Sequence, residues 1–186
     1  METYAVELTG IAPVKFNKPT ADAVKGLNPG SKSKKREDAA GREEEALERL
    51  YFCADGNIGA PARQVKRTML DGASMGTIKI GRKSAIGYLK AAVMVTEGNF
   101  GVKHPDRIIE DVVRIPPRTG ALILKAWPML DAGWHLHFEL TLLQPAIIGE
   151  SVARAALDSA GLLAGLGTER PEYGRFVVSE WTRTRA

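Results

Sequence analysis

Residues 134–142 (WHLHFELTL) alternate between apolar and polar side chains, and this alternation constrains the fold more than any other feature of the chain. The apolar positions are Trp134, Leu136, Phe138, Leu140 and Leu142. Successive side chains of a β-strand point to opposite faces of its sheet, so a period of two indicates a half-buried strand. The segment therefore predicts a strand whose apolar face belongs to the core.

Other segments predict a mixed arrangement of strands and helices. Tyr4, Val6 and Leu8 alternate in the same way before Gly10, and Pro61 is suited to the first position of a helix that repeats Val65, Met69 and Ala73 at spacings of four. The remaining predicted elements are a helix over 42–51, strands over 91–96, 107–115 and 121–127, a helix over 150–163 and a strand over 173–181. This order predicts an α+β fold, with a ferredoxin-like (RNA-recognition-motif-like) β-α-β-β-α-β core and insertions.

Length and composition favour one globular domain over residues 1–186. Residues 17–41 are rich in Gly, Pro, Ser and Lys and nearly free of large apolar side chains, so we expect a mobile polar insertion there. No run of eighteen apolar residues exists, no secretory signal opens the chain, and Cys53 is the only cysteine. We therefore expect a protein of the cytoplasm, that of the host cell if a phage encodes the chain, with no membrane partner.

Basic residues are concentrated between residues 61 and 90. The net charge of the whole chain is +4, whereas this stretch has seven basic residues and one acidic residue, a local balance of +6. Successive Lys and Arg side chains with aromatic neighbours are typical of surfaces that bind phosphate backbones and stack bases. The predicted nucleic-acid-binding residues are Arg63, Lys66, Arg67, Lys79, Arg82 and Lys83, joined by Arg170 and Arg175 near the C-terminus. The candidates for base stacking are Tyr88, Phe100, Trp127 and Trp134, although we expect Trp134 to belong to the core.

The chain has three histidines, and they permit two further interpretations. His135, His137 and Glu139 are spaced two apart, so they share one face of the predicted strand and could ligate zinc there. We favour an ordinary solvated sheet face and predict neither a metal site nor a cofactor. His104, His135 or His137 could instead act as the general base of a metal-independent endoribonuclease, but they are weak catalytic candidates.

Residues 165–176 (GLGTERPEYGRF) combine three glycines with two arginines. Glycine adopts positive φ without strain, so the segment suits a turn between the last helix and the last strand. Its N–H groups could also bind an anion with help from Arg170 and Arg175. It has no GK[ST] and precedes a strand, so it is not a nucleotide-hydrolysis or dinucleotide motif.

Several segments resemble those of small phage-encoded proteins of unassigned function. The matching residues are Leu50, Tyr51, Asp55, Gly56, Ile58, Pro61, Ala62, Trp127, Pro128, Trp134, Gly165, Leu166, Gly167, Arg170, Pro171, Gly174, Arg175 and Phe176. The glycine-rich segment before a final strand also resembles the RAMP superfamily, which forms the backbone filament and the processing endoribonucleases of CRISPR effector complexes. That resemblance implies a ferredoxin-like core, a basic groove along single-stranded nucleic acid and head-to-tail assembly. The chain is shorter than a typical backbone subunit, and no histidine maps onto the catalytic position of a processing nuclease.

The sequence thus favours a non-catalytic, sequence-tolerant binder of single-stranded DNA or RNA that forms a homo-oligomer or filament. Its setting would be phage DNA replication or recombination, or a CRISPR-like backbone. One alternative is a metal-independent endoribonuclease of the RAMP type. The other is a phage-encoded interaction module or inhibitor whose polar 17–41 segment folds on its partner.

Overall fold

A computed structural model describes residues 1–20, 39–114 and 122–185 of the chain. Most of the predicted 17–41 insertion lies outside these residues. The strands in chain order are β1 (Glu2–Gly10), β2 (Val14–Lys15), β3 (Tyr51–Phe52), β4 (Ile58–Ala60), β5 (Lys79–Ile80), β6 (Lys83–Ser84), β7 (Val93–Val95), β8 (Gly98–Asn99), β9 (Arg107–Arg114), β10 (Leu122–Leu130), β11 (His135–Leu142) and β12 (Phe176–Arg185). The helices are α1 (Ala39–Glu48), α2 (Ala62–Met75), α3 (Ile86–Ala92) and α4 (Glu150–Ser159), and a π-helical turn, Ala160–Ala164, extends α4.

The central sheet is antiparallel and has the strand order β12-β1-β11-β8-β4-β3, with β7 also paired to β11. In β11 the alternation predicted from sequence is present, because Leu136, Phe138, Leu140 and Leu142 are buried and the residues between them are not. Val6 lies opposite Phe138 in the register of β1 and β11. The two longest alternating segments therefore lie side by side at the centre of the sheet.

Helices α2 and α4 cover one face of this sheet. Val65, Met69 and Ala73 of α2 are buried in the same core cluster as the inward residues of β1 and β11. The two helices also approach each other closely, since a Cβ at Gly72 would overlap the Ala156 carbonyl oxygen. The fold is therefore α+β, as the sequence predicts, with a helical layer on one face of an antiparallel sheet.

Two smaller sheets are attached to this core. Strands β2, β10 and β9 form an antiparallel sheet in the order β2-β10-β9, in which Met129 lies opposite Lys15. Strands β5 and β6 form a separate hairpin between α2 and α3. Among the described residues, no helix has the length and apolar character needed to cross a membrane.

Candidate nucleic-acid interface

Five exposed cations of residues 61–90 lie on helix α2 and on the β5–β6 hairpin that follows it, and a sixth, Lys90, lies on α3. Arg63 and Arg67 are both exposed and lie four residues apart, so they share one face of α2. Lys79, Arg82 and Lys83 are exposed on the hairpin, whose base is closed by a hydrogen bond from the Ala85 N–H to the Ile78 carbonyl. We call these five side chains the basic surface.

Four side chains of the basic surface are free to meet an anion. Arg63, Lys79, Arg82 and Lys83 make no side-chain hydrogen bond or ion pair with the residues that the structure describes. Arg67 differs, because its Nε lies 2.8 Å from Asp71 Oδ1 in an i,i+4 ion pair. Since the side chain of Arg67 is 73% exposed, this ion pair leaves it accessible to a ligand.

Lys66 has a structural contact that the sequence did not indicate. Its Nζ donates hydrogen bonds to the carbonyl oxygens of Lys90, at 2.8 Å, and Val93, at 2.7 Å. These carbonyls stand at the C-terminal end of α3, where helix carbonyls lack an intrahelical partner and a cation is favoured. Lys66 therefore holds α2 against the end of α3, and its ammonium already uses two of its three donors.

The glycine-rich segment 165–176 packs against its own chain. Gly165, Gly167 and Gly174 all have positive φ, at 74°, 86° and 77°. A Cβ at Gly167 would lie 2.6 Å from the Lys15 carbonyl oxygen, and a Cβ at Gly174 would overlap the Leu166 carbonyl. The N–H of Thr168 donates to the Lys15 carbonyl at 3.0 Å. Gly167 therefore permits a close approach to β2, whereas Gly165 and Gly174 permit a close approach within the segment itself.

The two arginines of this segment bind protein groups. Arg170 donates to the Gly165 carbonyl at 3.3 Å and pairs with Asp71 of α2 at 3.2 Å. The Nε of Arg175 donates to the Pro171 carbonyl at 3.0 Å. Arg170 thus connects the segment to α2, and the structure places it beside Arg67 through their shared partner Asp71.

His135 and His137 lie together on the open face of the central sheet. Their rings are stacked with centroids 6.5 Å apart, and both Nδ1 atoms face the Glu7 carboxylate, at 2.8 and 3.4 Å. The hydrogen bond with His135 is the main reason that the pKa of Glu7 is lowered. His104 is exposed in the loop between β8 and β9 and makes no hydrogen bond or ring contact with either histidine.

A groove of about 350 Å³ opens beside this histidine pair. Four carboxylate residues contribute to its lining, namely Glu7, Glu97, Glu139 and Glu180, together with His137. Within the described part of the chain, no group of three or more His, Cys, Asp or Glu side chains is arranged to hold a metal ion. An acidic lining repels a polyanion, so this face is poorly suited to a phosphate backbone.

The expected stacking residues are mostly unavailable to a base. Phe100, Trp127 and Trp134 are at most 6% exposed, and Phe100 packs edge-on against Trp134 with centroids 5.6 Å apart. The stacking prediction is therefore wrong for Phe100 and Trp127, whereas Trp134 lies in the core, as its place on the apolar face of residues 134–142 predicts. Tyr88 is half-buried on α3. Phe52, at 49% exposure on the edge strand β3, presents an accessible ring that the sequence reasoning did not single out.

A second group of cations was not predicted from the sequence. Lys15, Arg49 and Lys125 all lie close to the ring of Trp127. They come from β2, from the end of α1 and from β10, so nothing in the linear spacing brings them together. The burial of Lys15 and Arg49, two residue types that usually stay at the surface, is visible only in the structure.

Comparison with known proteins identifies a fold and no family. No protein-family model matches the chain, and no curated protein matches it. Among solved structures, the chain is similar to one from the cryo-EM structure of the Type III-B Cmr-beta bound to cognate target RNA. The TM-score is 0.53 and the sequence identity 12%, and the match covers 99% of this chain and 61% of that chain. The two chains therefore share a fold, and this chain spans 61% of the length of the other.

Proposed function

We propose that this protein is a non-catalytic binder of single-stranded nucleic acid and that the basic surface is its binding face. The observation that carries the proposal is the set of four exposed cations, Arg63, Lys79, Arg82 and Lys83, that have no anionic partner among the described residues. Each is free to neutralise a phosphate and release its counterion. Arg67 and Arg170 differ from these four in that both pair with Asp71 of α2.

We propose further that the core is ferredoxin-like and of the RAMP type, and the order and pairing of its elements support this. The chain contains strand β1, helix α2, strands β7 and β11, helix α4 and strand β12 in β-α-β-β-α-β order, with other elements inserted between them. Strand β11 pairs with both β1 and β7, and this pairing supports a split βαβ unit of the ferredoxin-like type. The similar chain belongs to a structure bound to target RNA. A CRISPR-like backbone role is therefore the setting that we favour for the protein, and phage replication or recombination is the alternative setting.

The electrostatics of the open sheet face favour binding without cleavage. His135 and His137 share the Glu7 carboxylate and border the acidic groove. A phosphodiester approaching either imidazole would meet several carboxylates, which raises the free energy of the encounter. The basic surface lies on other elements, α2 and the β5–β6 hairpin.

The test compares two double variants that lose the same charge. Lys79→Gln/Lys83→Gln removes two cations of the basic surface, and Lys103→Gln/Arg154→Gln removes two exposed cations elsewhere. Fluorescence anisotropy with a labelled single strand of about 30 nucleotides, RNA and DNA in parallel, gives the affinity at several salt concentrations. We expect the hairpin variant to bind more weakly and its salt slope to flatten by about 1.4, since each phosphate contact on a single strand contributes about 0.7. The control variant should keep the wild-type slope.

Two results would contradict the proposal. The first is a wild-type chain that binds neither RNA nor DNA at low salt. The second is an equal loss of affinity in the two double variants, because net charge and not the basic surface would then govern binding.

A further inference from the structure

Asp71 of α2 is the single acidic residue of the basic stretch 61–90, and two arginines share its carboxylate. The Nε of Arg67 lies 2.8 Å from its Oδ1, and the Nη2 of Arg170 lies 3.2 Å from its Oδ2. The Asp71 side chain is 17% exposed, whereas that of Arg67 is 73% exposed. A carboxylate with little contact to solvent thus joins a cation of the basic surface to the 165–176 segment.

The two arginines are not held equally. Arg170 also donates to the Gly165 carbonyl at 3.3 Å, and the same carbonyl accepts from the Thr68 hydroxyl of α2 at 3.5 Å. In the part of the chain that the structure describes, the Arg67 side chain pairs with Asp71 alone. Arg67 is therefore the arginine that can leave the carboxylate, and Arg170 is the one that stays.

The second arginine changes what it costs to move the first. A largely buried carboxylate has lost most of its hydration, so leaving it without a cation is unfavourable. If Arg67 were the one partner of Asp71, moving its guanidinium to a phosphate would create such an unpaired charge. Arg170 prevents this, because it remains on the second oxygen. A guanidinium also has five N–H donors, so Arg67 can begin to bind a phosphate before its contact with Asp71 breaks.

We infer that Arg67 passes from Asp71 to a phosphate of the bound strand and that Arg170 is the positioning residue that permits this exchange. The inference rests on the proposed function, in which the basic surface binds single-stranded nucleic acid. Arg170 then influences affinity through Asp71, without touching the strand. Asp71 lowers the affinity, because its carboxylate competes with phosphate for the guanidinium of Arg67.

The test is a double-mutant cycle of Asp71→Asn, Arg170→Gln and the variant with both changes. Fluorescence anisotropy with a labelled single strand of about 30 nucleotides gives the affinity of each protein at several salt concentrations. Arg170→Gln should weaken binding roughly two- to fivefold and flatten the salt slope by about 0.7, because Asp71 then retains Arg67. Asp71→Asn should strengthen binding by a similar factor. The double variant should bind as Asp71→Asn does, since Arg170 matters only while position 71 is charged.

Asp131→Asn is the matched control for the change in charge. Asp131 pairs with Arg107 at 2.8 Å, and the two side chains are 51% and 50% exposed. This substitution also frees an arginine from an ion pair, but on β9, outside the basic surface. Asp131→Asn should therefore bind the strand as the wild type does. Arg170→Lys, which keeps a cation beside Asp71, should recover most of the affinity that Arg170→Gln loses.

Three results would overturn this inference while leaving the proposed function in place. One is unchanged affinity in Arg170→Gln. Another is the same loss from Arg170→Gln with and without the charge at position 71, because Arg170 would then contact the strand directly. The third is an equal gain in Asp71→Asn and Asp131→Asn, because net charge would then explain both. Circular dichroism establishes folding, and if Arg170→Gln unfolds, the comparison of Asp71→Asn with Asp131→Asn decides. A wild type that binds no strand contradicts the proposed function and this inference with it.

Discussion

At Gly174 the backbone leaves no space for a side chain. Its φ is 77°, its N–H donates to the Pro13 carbonyl at 2.7 Å, and a Cβ placed on it would overlap the carbonyl oxygen of Leu166. Gly56 has nearly the same conformation, with a φ of 81°, but nothing lies within 4 Å of a Cβ there. Substitutions at these two glycines therefore distinguish the effect of backbone conformation on stability from the effect of close packing.

Gly174→Ala should lower the free energy of unfolding much more than Gly56→Ala. An alanine at positive φ costs about 1 kcal/mol at either site. At Gly174 the overlap with Leu166 adds about 1–3 kcal/mol, as in other overpacked sites. Urea denaturation of both variants and the wild type measures the difference. Equal losses would mean that the turn relaxes and that its close packing is not a constraint.

The glycines of residues 165–176 could be assigned to a turn from sequence because only glycine combines positive φ with such close approach. The partners of Arg170 and Arg175 could not be predicted from sequence, since an arginine is equally suited to an external anion and to a backbone carbonyl. Lys15 and Arg49 were beyond prediction for a different reason. Their burial depends on Trp127 and on the carboxylates of Glu169 and Glu45. Trp127 and Glu169 are far from their partners in the chain, and Glu45 belongs to no sequence pattern that indicates a buried ion pair.

Between α2 and β7, one lysine organises the end of a short helix. Lys66 reaches from α2 to the carbonyls of Lys90 and Val93, where α3 ends and β7 begins. Lys83, by contrast, is exposed on the hairpin and has no side-chain partner among the described residues. These two lysines come from the same basic stretch but are expected to have different roles.

Lys66→Met should lower the free energy of unfolding by about 1–2 kcal/mol, because it leaves two carbonyls without a charged donor. Lys83→Met should change stability by less than about 0.5 kcal/mol, as is usual at exposed positions. The loss of affinity for a single-stranded nucleic acid should be larger in Lys83→Met than in Lys66→Met, which is the reverse of the order expected for the loss of stability. Thermal unfolding and anisotropy on the same two proteins measure both effects. A larger affinity loss in Lys66→Met would assign Lys66 to the binding face.

Elements with clear periodicity were predicted well, and those set by tertiary contacts were not. Strands β1 and β11 and helix α2 follow from alternation or from spacings of four, because one face of each is buried. The sequence of residues 91–96 predicts a strand, but α3 continues to Ala92 and only Val93–Val95 pairs with β11. Alanine is the strongest helix former, and Leu89 of α3 is buried in the core, so packing extends the helix into this segment.

Across the whole molecule, charge is divided between different surfaces. The basic surface occupies α2 and the β5–β6 hairpin, whereas the groove on the open sheet face has an acidic lining. A single-stranded nucleic acid bound along the basic surface would place successive copies of the protein next to one another. Val112 and Leu124 pair across β9 and β10 and are 54% and 44% exposed, which offers an apolar contact for a neighbouring copy.

Electron microscopy should show elongated assemblies when the protein is mixed with a long single strand and small particles without one. A head-to-tail contact that does not close into a ring produces such filaments. Val112→Lys should shorten or abolish them, while Val102→Lys, the same change at another exposed position, should leave them intact. Identical particles with and without the strand would contradict head-to-tail assembly.

The position of β1 in the central sheet also affects how the chain can fold. Strand β1 leads the chain, yet its two neighbours are β11 and β12, which begin at His135 and Phe176. During synthesis, both edges of β1 stay unpaired until those late segments leave the ribosome, and long-range pairings of this kind form slowly. Unpaired edges recruit other strands. A nascent or truncated chain that lacks β11 and β12 is therefore expected to aggregate or to need a chaperone.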